Sequence, residues 1–186
     1  ERVGESGRGF GGAAYALWSA VGAGVAAAVR DDPTLSMKIA ELRRLADAMR
    51  YHSGSIHADL LDAWRLLRLG DTDAALPLVR SGFARLGRES EGFLWGAVPR
   101  ILQPVCRFAL EHDIEANAVS SVVRMFRLPP PPDAPDAWPW VLRVRGLGGF
   151  EFLLNGKPLT SRGKSKHRQL ELIKRMAALA TAPHPM

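Results

Sequence analysis

The chain has 186 residues, 47% hydrophobic and 24% charged, a folded profile with room for one ordinary domain or two small ones. Its one cysteine, Cys106, excludes an intramolecular disulfide and a cysteine-held metal cluster, and makes a reducing cytoplasm the expected location. The net charge of +6 is uneven: Arg143 to Arg175 holds nine basic residues against two acids, while the remainder has 16 basic and 17 acidic residues, and such a block suits a polyanion such as nucleic acid.

The first element is glycine-rich. Gly7-Arg8-Gly9-Phe10-Gly11-Gly12 matches the spacing G-x-G-x-x-G, but a dinucleotide site needs a strand before the first glycine and a βαβ unit after it. Neither is present, so the run is expected to be a flexible lead-in with no nucleotide role. Phe10 to Val29 follows with 20 uncharged residues, the length of a membrane span. Alanine and glycine dominate it and add little transfer energy, so a buried helix is expected and no membrane. Leu17, Trp18, Val21, Val25 and Val29 form its apolar stripe.

Pro33-Thr34 then marks a turn. Met37 to Tyr51 places Ile39, Leu42, Leu45, Ala46 and Met49 on one helical face. Ile56 to Leu69 repeats the pattern, and Gly70-Asp71-Thr72-Asp73 ends that helix, Asp73 being the expected cap of the next. The next helix is expected from Ala74 to Leu86, with Pro77 close enough to its start to be tolerated. This pair resembles a tetratricopeptide repeat in Trp64, the Gly-Asp-x-Asp turn, and Ala75, Gly82 and Phe83. Small residues let the helices approach, and Phe83 fills the groove. A single such unit cannot bury its own apolar face, so the flanking helices must stack on it.

Two more helical elements lead to Leu128, bent or delayed by Pro99 and Pro104. The run Pro129 to Pro132, continuing as Asp-Ala-Pro-Asp-Ala-Trp-Pro-Trp, cannot be helical and reads as a semi-rigid spacer. Beyond it the period changes to two. Leu142 and Val144 alternate with Arg143 and Arg145, Gly148-Gly149 interrupts, and Phe150, Phe152 and Leu154 resume. Asn155-Gly156 is a strong hairpin signal, since both residues accept positive φ. A basic loop and an amphipathic helix from Arg168 to Ala180 complete the chain.

These last residues resemble the start of the winged-helix domain in MalT-like bacterial transcriptional activators. Leu147-Gly148-Gly149-Phe150 matches that family's Leu-Gly-x-Phe hairpin signature. Leu170-Glu171-Leu172-Ile173 matches its Leu-Glu-Leu-Leu helix core, with Arg168-Gln169 where members usually carry Lys-Pro. The helices from Cys106 to Leu128 resemble that family's sensor region. The implied fold is mainly α: an antiparallel, tetratricopeptide-like helical array (1–128), a proline-rich linker (129–140) and an incomplete winged helix (141–186). The implied function is a fragment of a transcriptional regulator, its chain starting at Glu1 and stopping before a recognition helix. In larger members a nucleotide-binding domain can lie upstream. The alternative is an α-helical protein-interaction module with no DNA-binding role.

Arg162, Lys164, Lys166 and Arg168 lead into the first helix of the partial domain and are the expected DNA-phosphate contacts. DNA is the expected partner of the complete protein, bound weakly and without preference by this chain. A protein or small effector is the expected partner of the helices. No catalytic constellation, metal-ligand pattern or cofactor motif is found, so the expectation is not an enzyme. His52 and His57 read as capping or surface residues, and Cys106 as a buried small hydrophobe.

Overall fold

The computed structural model describes residues 3–88, 98–145, 151–159, 171–173 and 175, with the side chains of the first helix described from Gly12 onward. The chain divides into two compact units, residues 1–138 and 139–186. The first is helical and the second carries a small antiparallel sheet.

Six helices build the first unit among the described residues: α1 (Val3–Val29), α2 (Leu35–Met49), α3 (His52–Arg68), α4 (Thr72–Arg88), α5 (Pro99–Glu111) and α6 (Ala116–Met125). Helix α3 is the hub. It packs on α1, α2, α4 and α5, most extensively on α4. Nine of its 17 residues are buried, so its apolar face wraps well beyond a single stripe. Leu17 and Val21 from α1, Ile39 and Leu42 from α2, Val79 and Phe83 from α4, and Val105 from α5 complete the core.

The α3–α4 turn follows from its residues. Gly70 has φ +77°, the left-handed geometry that a Cβ disfavours. Gly70 N–H donates to the carbonyl of Leu67 and Asp71 N–H to that of Leu66, which satisfies the last carbonyls of α3. The cap of α4 is Asp71, not Asp73: its Oδ1 accepts from Ala74 N–H at 3.0 Å. The two helices lie close because Gly82 faces Leu60; a Cβ at Gly82 would stand 2.8 Å from Leu60 Cδ2. Ala75 is fully buried on the same helix.

Three further sequence expectations change in this unit. Gly7 to Gly12 lie within α1, so that glycine run is helix rather than a flexible lead-in and forms no phosphate-cradling loop. Helix α1 is buried on one face only. Leu17, Val21, Ala27 and Ala28 point inward, whereas Tyr15 and Val29 are exposed. Gly12–Val29 is long and apolar enough to cross a membrane by length and composition, with 28% of it buried. His57 is no surface cap. It is buried inside α3, Nδ1 lies 2.7 Å from the Ser53 carbonyl, and its ring meets Trp18 edge-on.

The proline-rich segment is not helical, as expected, and its first part is tied to α5. Residues 129–138 make turns closed by Ala134 N–H to the Pro131 carbonyl and Trp138 N–H to the Pro135 carbonyl. Gln103 Nε2 of α5 donates to the Pro129 carbonyl at 2.7 Å, and Arg107 of α5 pairs with Asp133. Consecutive prolines have no N–H with which to build a helix, but their carbonyls still accept, and α5 supplies a donor. The division between the units, at Trp138 and Pro139, lies within the segment 129–140.

In the second unit, β1 (Leu142–Arg145), β2 (Glu151–Leu154) and β3 (Lys157–Pro158) form an antiparallel sheet in the order β1-β2-β3. Asn155 and Gly156 have φ of +49° and +77°, the two-residue turn expected of Asn-Gly, and Leu154 pairs with Lys157 across it. Val144 pairs with Phe152, which is buried, and Arg145 with Glu151, whose side chains also meet at 3.3 Å. The Leu142–Leu154 pair is exposed, so the apolar face of the ribbon is narrower than alternation implied. Gly148-Gly149 and Phe150 lie outside the described residues. Residues 171–173 are helical, as expected for the segment after the basic loop.

Candidate functional site

Arg162, Lys164, Lys166 and Arg168 all lie outside the described residues, so the expected phosphate contacts have no described geometry. Of the same charge block, Arg145 is paired with Glu151, while Lys157 is exposed beside the Asn-Gly turn.

The described residues bring together a different cluster, at the turn between α1 and α2. Arg30 is followed by Asp31 at φ +54°, a conformation aspartate tolerates better than most residues because its short side chain bonds locally. Asp32 turns the chain: its Oδ1 accepts from Thr34 Oγ1 at 2.7 Å and Thr34 N–H at 2.8 Å. The Thr34 hydroxyl bond, with the backbone bond behind it, holds the Asp32 carboxyl below the ordinary aspartate range. The group is anionic at neutral pH.

Helix α3 brings Arg65 and Arg68 to this turn, one helical turn apart on the same side. The Arg68 guanidinium lies 5.1 Å from the centroid of the Trp64 ring and pairs with Asp31. From the start of α5, Arg100 sends Nη2 to Asp31 Oδ2 at 2.8 Å and Nη1 to the Val29 carbonyl at 2.9 Å. Trp64 Nε1 donates to the Arg100 carbonyl at 3.1 Å, fixing α3 against α5. One carboxylate is thus shared by two guanidiniums, one of which rests on an indole. Asp31, Asp32 and Arg68, with Leu35, Ser36 and Leu69, line a cleft of about 330 Å³.

A second polar cluster, beneath α3, ties three helices together. Asp59 is 7% exposed; it accepts from Arg43 of α2 at 3.3 Å and from Ser81 Oγ of α4 at 2.9 Å, with Arg85 at 3.8 Å. Asp62 pairs with Arg65 at 2.7 Å and with Arg43 at 3.5 Å. Every charge here has a partner within the unit, which fits a structural clamp rather than reaction chemistry.

Cys106 is fully buried on α5, and burial pushes its thiol up to about 12. Burial both disfavours the thiolate and shields the sulfur from reagent. Labelling of the folded chain by an aromatic disulfide reagent at pH 8 should be slower than that of the urea-denatured chain by roughly a hundred-fold or more. Equal rates would show Cys106 reachable and α5 placed wrongly.

Comparison of the chain with protein-family models, with curated proteins and with solved structures gives no match. The Asp31–Arg68–Arg100 cluster escaped sequence reasoning. Its members stand 37 and 69 residues from Asp31, and only the Arg30-Asp31-Asp32-Pro33 turn and the α3 arginine pair were locally visible.

Proposed function

We propose that this chain is part of a cytoplasmic bacterial transcriptional regulator, a tetratricopeptide-like helical sensor or scaffold followed by the beginning of a winged-helix domain. The observation that carries the reading is the second unit: an antiparallel ribbon turned at Asn155-Gly156, with helical residues at 171–173 further along the chain. Hairpin before helix is the order that the MalT-like resemblance implies. The close α3–α4 pair, with Gly82 at the contact and Phe83 buried, supports the repeat-like part. The reading as a helical protein-interaction module is favoured by the first unit having its own core and its own cleft.

DNA binding separates the two readings. Phosphate contacts from Arg162, Lys164, Lys166 and Arg168 would give affinity without sequence information, because base reading needs an element that enters the groove. The chain should bind unrelated duplexes alike, with Kd on the order of 10⁻⁴ to 10⁻⁶ M at physiological salt. Each neutralised phosphate contributes about 0.9 to the slope of log K against log salt, so Lys164→Ala with Lys166→Ala should flatten it by about 2. Fluorescence anisotropy across a salt series measures both. No binding at low salt would favour the interaction module; tight, sequence-selective binding would require a reading element elsewhere in these residues.

A further inference from the structure

We propose that the cleft at the α1–α2 turn is a binding site for a small molecule with an anionic head, carboxylate or phosphate, on a short apolar body. The inference concerns the helical unit alone and stands under either functional reading. The cleft volume of about 330 Å³ is at the lower end of small-molecule pockets, which run from roughly 300 to 1,000 Å³. Its chemistry is divided as such a ligand requires. Pro33, Leu35 and Leu69 give an apolar surface, and Leu69 is largely exposed there. Arg68 gives the cationic edge, with Arg65 beside it held on Asp62.

The cationic edge is preorganised. A guanidinium presents five donors in a planar fork, and that of Arg68 already packs 5.1 Å from the Trp64 ring centroid and against Asp31. The cost of ordering that side chain is met before a ligand arrives. Asp31 satisfies Arg68 and Arg100 together, one negative charge against two positive ones, so the trio keeps a net positive charge. Both pairs are about half exposed, the regime in which an ion pair in water is weak and readily exchanged. Asp31 thus occupies the place that a ligand carboxylate or phosphate would take, and the incoming head exchanges with it on Arg68. Asp32 also lines the cleft and is anionic, and the neighbouring charges of Arg30 and Lys38 offset it.

The test is an amide chemical-shift titration of the full chain with 4-phenylbutyrate, phenyl phosphate and, as the uncharged control, 4-phenyl-1-butanol. Both anions should move the amides of residues 31–36 and 64–69 saturably, with Kd on the order of 1 mM for ligands of about a dozen heavy atoms. The tighter of the two identifies the head group. The alcohol should bind at least roughly ten-fold more weakly, the worth of one charge-assisted hydrogen bond. Arg68→Gln should weaken both anions about ten-fold. Asp31→Asn should tighten them several-fold, because it removes the internal competitor while asparagine keeps the left-handed backbone. A purely structural ion pair would give the opposite or no response to Asp31→Asn. Equal binding of the alcohol, shifts confined to other residues, no saturable shift, or an Asp31→Asn chain that binds no better would each overturn the proposal.

Discussion

Phe83→Ala is expected to destabilise the helical unit by about 3–5 kcal/mol, the cost of truncating a buried aromatic ring and leaving its cavity. Phe83 is fully buried on α4, one helical turn from Val79 and from Leu86, and Val79 is also fully buried. The site cannot collapse easily. Gly82 already brings α4 against Leu60, so the helix has no slack with which to close the void. Urea unfolding followed by circular dichroism should show the midpoint falling with the slope unchanged. A loss of only a few tenths of a kcal/mol would mean that Phe83 does not fill the α3–α4 groove. The repeat-like pairing would fall with it.

What the sequence revealed depended on how local the deciding physics was. Gly70 and Asn155-Gly156 were readable because positive φ is a property of one or two residues, and both turns form. Helices α2, α3 and α4 were readable from apolar spacing, although each extends a few residues beyond the expected start. The cap of α4 was misplaced by two residues because Asp71 and Asp73 are chemically equivalent and only the chain path selects between them. His57 was misread because burial of an imidazole depends on Trp18 from another helix. The proline segment was read correctly as non-helical. Its attachment to α5 was invisible, since it rests on Gln103 and Arg107 reaching across the fold. The cleft was the least legible feature: Asp31, Trp64, Arg68 and Arg100 come together only when α1, α3 and α5 are packed.

The second large effect should come from Trp64, the residue on which that junction rests. Trp64 is 2% exposed, its Nε1 donates to the Arg100 carbonyl at 3.1 Å, and the Arg68 guanidinium covers its ring. Trp64→Ala is expected to cost about 3–5 kcal/mol, since it removes a large buried apolar surface and leaves a carbonyl without its donor. Trp64→Phe keeps most of the apolar surface and loses the hydrogen bond, so it should cost about 1–3 kcal/mol. Arg68→Gln removes only an exposed cation–π contact and a half-exposed ion pair, and should cost no more than about 1 kcal/mol. The order of the three variants is the test. It separates a tryptophan that holds α3 against α5 from one that merely shields Arg68. Equal and small losses for Trp64→Ala and Arg68→Gln in urea unfolding would show that the indole contributes only to the cleft and that α5 is held by other contacts.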